Sequence, residues 1–258
     1  MLRWFKADLH IHTVLSACAE LTMGPKDIVE AALKRGIDII AITDHNSAEN
    51  VETVIKVAAG KNVTVIPGME VSTQEGVHFV TLFPDLESLD SFQDFVYSVL
   101  QQGYYDEELY GAQLKVDEEE RIIEKSRKLF FFTLRASIER IVKEVRHRKG
   151  IVYPAHIDRH AYSIFNLYAH FPSELSFDAA EISNPEHLSE LETRFRPDEK
   201  IQLITASDAH DIKDVGKKTV SFKLESPEFR EIKLALKNQT GRRVKLPATF
   251  SRESAFNA

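Results

Sequence analysis

The feature that most constrains this chain is the alternation of continuous apolar runs with amphipathic stretches through its first half. "IDIIAITDH" contains a β-branched run over 37–43 that reads as a fully buried strand, and "NVTVIPGMEV" repeats the pattern at 62–71. Helical patterns lie around them. "GPKDIVEAALKRG" carries Pro25 in its first turn and is closed by Gly36, and "ENVETVIKVAA" covers about 49–59. A strand apolar on both faces needs cover on both sides, which predicts a parallel sheet flanked by helices. With 258 residues, 43% of them hydrophobic, the chain can build this around one sizeable core.

The remaining elements follow from the same periodicities. An extended stretch at 3–9 precedes the first helix, and "VHFVTLFP" spans 77–84. The pattern then falters. Residues 85–136 read as an insertion, a helical stretch "DLESLDSFQDFVYSVLQQG" followed by a β-hairpin around "KVDEEERIIEKSRKLFFFTL". Alternation resumes with a helix at 137–149 and strands at 151–156 and 177–183. A helix near 186–195, strands at 201–210 and 218–224, and a helix at 227–238 complete it. About seven strand–helix units predict a barrel-like α/β fold, with its chemistry on loops at the C-terminal ends of the strands. The domain is expected over 1–240, and the tail at 241–258 lacks periodicity.

The polar residues concentrate at those strand ends. His10 and His12 end the first strand, Asp44 and His45 the second, and Glu70 the third. His78 opens the next, His156 ends "IVYPAH", and Asp208 and His210 end "LITASDAH". Each motif alone has an ordinary reading: a surface histidine pair, a turn cap, a solvated loop carboxylate. Donors at five successive strand ends are a different matter. Imidazole and carboxylate suit zinc, manganese and iron, and so many donors exceed one tetrahedral ion. Two or three divalent ions sharing a bridging carboxylate are therefore expected, with metal-activated hydroxide as the attacking group.

Taken together, "DLHIHT", "TDH", "PGMEVS", the His78 of "VHFVTLF", "PAH" and "SDAH" resemble the motifs of the polymerase and histidinol phosphatase (PHP) superfamily, in the same order across residues 8–210. The resemblance implies a distorted seven-stranded (β/α) barrel of PHP type, here with a small helix and hairpin insertion. It implies His10, His12, Glu70 and Asp208 around one metal. Glu70 would bridge to a second metal held also by His78 and His156. His45 and His210 would hold a third ion with a residue soon after the first motif. Where many members have an acidic residue this chain has Ala17; where others have histidine it has Cys18, its only cysteine. A Cys18 thiolate would suit zinc, and a small buried cysteine is the competing reading. Asp8 and Asp44 would orient ring nitrogens.

Four residues are candidates for the reaction itself: Asp208 and His210 at the metals, Arg159 as a bidentate phosphate fork and His160 as a leaving-group acid. A surface ion pair is the alternative role for Arg159. Asn46 and Asn184 either line the rim or shape turns. Phe130–Phe132 read as core rather than a base-stacking platform, and 127–135 as a charged hairpin edge rather than a lid. No nucleophile elbow, P-loop or dinucleotide fingerprint is present.

The expected function is hydrolysis of a small phosphomonoester or of a nucleotide or oligonucleotide phosphate. A stand-alone nuclease and a non-catalytic, metal-binding regulatory module are the alternatives. A net charge of −7 speaks against a broad nucleic-acid surface and makes long nucleic acid the lesser partner. A single cysteine, no leader pattern and no long apolar run lead to the expectation of a cytoplasmic protein without membrane contact.

Overall fold

The structure is a computed structural model that describes residues 1–196 and 201–248. A curled seven-stranded sheet carries the fold. Its strands are β1 (Arg3–Ile11), β2 (Ile39–Ile42), β3 (Thr64–Ser72), β4 (His78–Leu82), β7 (Ile151–Pro154), β10 (Val220–Leu224) and β11 (Arg243–Lys245). They lie in the order β11-β10-β1-β2-β3-β4-β7. A two-stranded hairpin, β5 (Leu114–Val116) with β6 (Ile122–Lys125), and a parallel pair, β8 (Ala180–Glu181) with β9 (Leu203–Ile204), stand beside it.

The expected all-parallel arrangement is found only across β1–β2–β3. The pairs β3–β4 and β4–β7 are antiparallel. For β3–β4 the reason is connection length: residues 73–77 are too few for the crossover that a parallel partner requires. The strands expected at 177–183 and 201–210 shrink to two residues each in regular pairing. The edge strand β11 comes from the stretch that lacks periodicity in the sequence, pairing with β10 over 243–245. The rest of that tail, 249–258, lies outside the described residues.

Helices α1 (Pro25–Lys34), α2 (Val51–Ala58), α3 (Leu86–Val99) and α5 (Ile138–His147) bury one face each. In α5 that face is Ile138, Ile141, Val142 and Val145, the i, i+3, i+4, i+7 stripe of an amphipathic helix. Asp85 and Ser137 cap α3 and α5 by accepting backbone N–H groups. The short helices α4 (Glu107–Tyr110) and α6 (Leu188–Glu192) and the C-terminal α7 (Phe229–Leu236) complete the chain. No described helix is long and apolar enough to cross a membrane.

Two apolar clusters divide the core. One joins Phe5, Ala7 and Leu9 of β1 to Ile39, Ala41, Val80, Tyr153 and Phe222, with α7 against it. The other holds Ile11, Ile40, Ile42, Val71 and Phe79 beneath the helices. Leu9 and Ile11 thus face opposite ways although they lie two apart, and the β1–β2 register shifts between Asp8 and Ile11. That irregularity turns His10 and His12 to the side that Leu9 occupies, as strand bulges do beside active sites. Gly68 lets β3 lie close to its neighbours, since a Cβ there would sit 3.0 Å from the Ile42 carbonyl oxygen and 2.9 Å from Leu82 Cδ2.

Residues 85–136 are tied to the sheet by Asn46. Its side-chain amide donates to the carbonyls of Phe130 (2.7 Å) and Phe132 (2.8 Å), and its Oδ1 accepts from Ser72 N (3.1 Å). Asn46 is buried with φ 47°, a left-handed conformation that asparagine tolerates better than most residues. Its role is to shape the fold rather than to line a rim. Asn46→Ala is expected to lower unfolding free energy by about 3 kcal/mol, because it strands three backbone groups, two of them buried. Urea denaturation reads this out, and a loss below about 1 kcal/mol would contradict it.

Candidate metal centre

Glu70, buried near the end of β3, is the hub. Its Oε1 lies 3.0 Å from His78 Nδ1, 3.4 Å from His10 Nε2 and 3.4 Å from His156 Nε2. Its Oε2 lies 2.9 Å from His45 Nδ1 and 3.4 Å from His12 Nε2. Asp208 Oδ1 stands 3.3 Å from both His10 Nε2 and His12 Nε2. His210 stacks on His12 with ring centroids 4.1 Å apart, and its Nδ1 donates to the Asp208 carbonyl (2.9 Å). His156 and Asp208 reach the cluster from left-handed backbone positions, φ 31° and 51°, a form of local strain common at functional sites.

Three groupings bring donor atoms within 4.8 Å of one another: His10/His12/Asp208, His45/Glu70/His78 and His12/His45/His210. The structure therefore assembles His10, His12, His45, Glu70, His78, His156, Asp208 and His210. Cys18 is not in these groupings; it is exposed, and its thiol hydrogen-bonds His45. His12 lies in a grouping with His45 and His210.

Outer partners set the ring orientations. His10 Nδ1 lies 3.0 Å from Glu181 Oε2, and Glu181 Oε1 accepts the His156 backbone N–H (3.3 Å). His12 Nδ1 donates to Ser16 Oγ (3.0 Å), which donates to Asp44 Oδ1 (2.7 Å). Both Nε2 lone pairs are thereby aimed at the cluster, 3.2 Å apart. Asp44 acts on His12 through Ser16, as well as accepting from Thr13. Asp8, by contrast, orients no ring. It accepts the backbone N–H groups of Ser207 (3.0 Å) and Gly216 (2.7 Å), and burial pushes its carboxyl up to about 6.

Glu181 is the partner that sequence reasoning missed. It sits in "FDAAEIS", a lone carboxylate ending an apolar strand, the same signal that marks Glu70 in "IPGMEVS".

The electrostatics are those of a cation site filled with protons. Burial opposes charge on His12, but hydrogen bonds to Asp208 and Glu70 raise it to about 9. His45 also reaches about 9, where burial is outweighed by Glu70. Burial likewise opposes charge on Glu70, yet His78, His10 and His45 hold it well below the usual carboxylate range. Burial and the charge of His12 push His210 down to about 3. Buried imidazoles facing buried carboxylates, with His156 Nδ1 left unpartnered, fit divalent ions by donor chemistry.

A stability prediction follows for the chelated protein. His12 and His45 gain protons on folding, so their contribution is full below pH 6.5 and is lost as pH rises through about 9. Its melting temperature should fall between pH 6.5 and 9, while stabilisation by added Zn²⁺ or Mn²⁺ grows as protons cease to compete. A flat melting temperature across that window would contradict the proton-filled site.

At the rim, Arg159 Nη1 donates to Asp208 Oδ2 (2.6 Å). Its side chain is 40% exposed. It shares a cleft of about 360 Å³ with His160, Asn166 and His187. His160 is exposed, and Asn184 braces a turn with Asp158. Tyr162 stacks on His78 at 4.2 Å, and Phe131 meets His45 edge-on at 5.8 Å. The sequence expectation for Phe130–Phe132 is thus corrected at one residue: Phe130 is core, whereas Phe131 is 40% exposed beside a donor histidine. Arg135 does not belong to this rim. It donates to the Leu100 carbonyl.

The family model of the PHP domain matches residues 8–174. Over 80 residues the chain is 29% identical to a 5'-3' exoribonuclease of Haemophilus influenzae, covering 30% of this chain and 28% of that protein. The fold is shared with the lesion-specific endonuclease PfuEndoQ of Pyrococcus furiosus, with TM-score 0.68, 19% identity and coverage of 94% of this chain and 58% of that one. It is shared also with a protein of Bifidobacterium adolescentis assigned as a metal-dependent phosphoesterase, with TM-score 0.54, 19% identity and coverage of 79% and 87%. The chain matches less than half the length of its curated relatives.

Proposed function

Because the chain belongs to the PHP domain family, we propose that it is a metal-dependent hydrolase of phosphate esters, its fold a distorted (β/α) barrel of that type spanning 1–240 together with the edge strand β11, with the 85–136 segment as an insertion. One observation carries this reading: a single buried carboxylate, Glu70, has five imidazole nitrogens within 3.4 Å. A carboxylate so placed suits a bridge between ions.

His10, His12, Glu70 and Asp208 would hold one divalent ion, and Glu70, His78 and His156 a second, with His45 close by. His12, His45 and His210 would hold a third, with the Cys18 thiol alongside. Zinc, manganese or iron bound there would neutralise phosphoryl oxygens and lower the pKa of water toward about 7. The chain's own groups do the rest. Asp208 anchors Arg159 at the edge of the cluster, and the remaining Arg159 N–H donors make no hydrogen bond among the described residues, so they can fork a phosphate. His160, exposed in the adjoining cleft, can protonate a leaving oxygen. His210 keeps its Nε2 free because Nδ1 donates to the Asp208 carbonyl.

The substrate class is a phosphomonoester or a nucleotide or oligonucleotide phosphate. A nuclease is the second reading, favoured by the likeness to the exoribonuclease and by exposed aromatic rings at the metal centre. The test is hydrolysis of p-nitrophenyl phosphate and its diester with Mn²⁺ or Zn²⁺, alongside metal content by elemental mass spectrometry. Two to three ions per chain and activity abolished by EDTA are expected. Arg159→Ala should cost about a hundred-fold in turnover with the ions retained, as for loss of a transition-state donor. Bound ions without hydrolysis of any phosphate ester would leave the regulatory, non-catalytic role instead.

A further inference from the structure

Resting on the hydrolase reading of this site, we propose that a track of aromatic rings on the 85–136 segment binds the bases of a single-stranded nucleic acid whose phosphate lies at the metal centre. The track runs over three rings. Phe131 stands edge-on to His45 at 5.8 Å, Phe132 lies 6.4 Å from Phe131, and Tyr110 lies 5.4 Å from Phe132. Phe131 and Tyr110 are 40% and 36% exposed, and Tyr110 is backed by the buried Tyr105 at 5.7 Å.

The first ring is held rather than loose. Asn46 clamps the carbonyls of Phe130 and Phe132, so the residue between two fixed peptide groups is the phenylalanine presented to solvent. A fixed, exposed apolar ring next to a metal ligand suits a flat partner, and every base has a π-face for it.

Beyond Tyr110, Tyr104 and Arg127 border a cleft of about 560 Å³ whose other side is acidic. Arg127 is exposed and makes no ion pair among the described residues. Glu107 is neutralised by Lys125 at 2.7 Å, whereas Asp106 and Glu108 keep their charge, so this cleft repels phosphate and marks where the strand leaves the surface. Exposed rings beside a centre that takes phosphate esters match the base-and-phosphate repeat of a single strand better than they match an apolar peptide. In a duplex the bases are already stacked on one another, so the track discriminates against paired nucleic acid.

The test is binding, measured without turnover. Fluorescence anisotropy on the metal-loaded protein gives Kd for a fluorescein-labelled, phosphorothioate-linked single-stranded hexadeoxyadenylate, an abasic strand of equal length and a blunt duplex, the phosphorothioate linkages blocking cleavage. Wild-type protein should prefer the single strand to the other two by about ten-fold or more, and Phe131→Leu, Phe132→Leu and Tyr110→Leu should each weaken it about five-fold or more. The abasic comparison needs no variant to fold. Equal Kd values for the three ligands, no binding, or wild-type Kd in all three leucine variants would overturn the proposal. Hydrolysis of bis-p-nitrophenyl phosphate separates the two claims. A protein that cleaves it but does not discriminate between strands loses only the track, whereas one that prefers the single strand but cleaves no phosphate ester loses the hydrolase reading.

Discussion

Glu70→Gln is expected to strip the protein of at least one bound ion and to lower phosphodiester hydrolysis by about a thousand-fold or more, the largest effect of any single substitution in this chain. The change preserves shape and removes charge. Five imidazole nitrogens lie within 3.4 Å of the two Glu70 oxygens, and an amide can bridge ions only through one weak oxygen while its N–H₂ opposes them. Loss of a group that organises several others costs far more than one contact, because residues acting as a unit are non-additive. Elemental mass spectrometry and diester hydrolysis on the same preparation decide the matter. A variant that keeps wild-type metal content and wild-type turnover would remove Glu70 from the centre and the proposed function with it.

The second large effect is expected at Glu181, which lies behind His10. Glu181→Gln should weaken metal binding about 10- to 100-fold, the usual range for a group that orients a metal-binding histidine. The argument is one of hydrogen-bond directions. Glu181 accepts twice, from His10 Nδ1 and from the His156 backbone N–H. A glutamine offers one accepting oxygen and one donating nitrogen, so it can satisfy His10 or His156 but not both. Competition with a chelator of known affinity measures the loss directly, at a temperature where the variant is fully folded. A bracing role alone would lower the melting temperature and leave metal affinity untouched, and that result would take Glu181 out of the centre.

Much of this centre was legible in the amino-acid order. His10 and His12 share a face because side chains on a strand alternate, and Asp44, His45, Glu70, His156 and Asp208 stand out because polar residues ending apolar runs are conspicuous. Glu181 carries the same mark but is inconspicuous, since one carboxylate in "FDAAEIS" has no neighbouring histidine. Its partner is 171 residues away. Asp44 was expected to orient a ring and does so only through Ser16, a residue whose hydroxyl has no periodicity to reveal it. Phe131 is hidden in the sequence for a related reason: three successive phenylalanines look like core, and only the clamp from Asn46 separates the buried ring from the exposed one.

The amino-acid sequence by itself determined which donor types exist and that they end apolar strands. Those properties depend on residue periodicity and turn chemistry, which act over a few neighbours. Periodicity did not tell strand direction: it leads to a parallel sheet, whereas the short linker over 73–77 turns β4 against β3. Only the tertiary structure decided which donors meet. The register shift in β1 turns His10 and His12 to the Leu9 side, the curl of the sheet brings Glu70 among five imidazoles, and His12 joins His45 and His210 while the Cys18 thiol meets His45 from an exposed position. Each of these rests on hydrogen bonds and packing between residues far apart in the chain, whose distances no local pattern encodes.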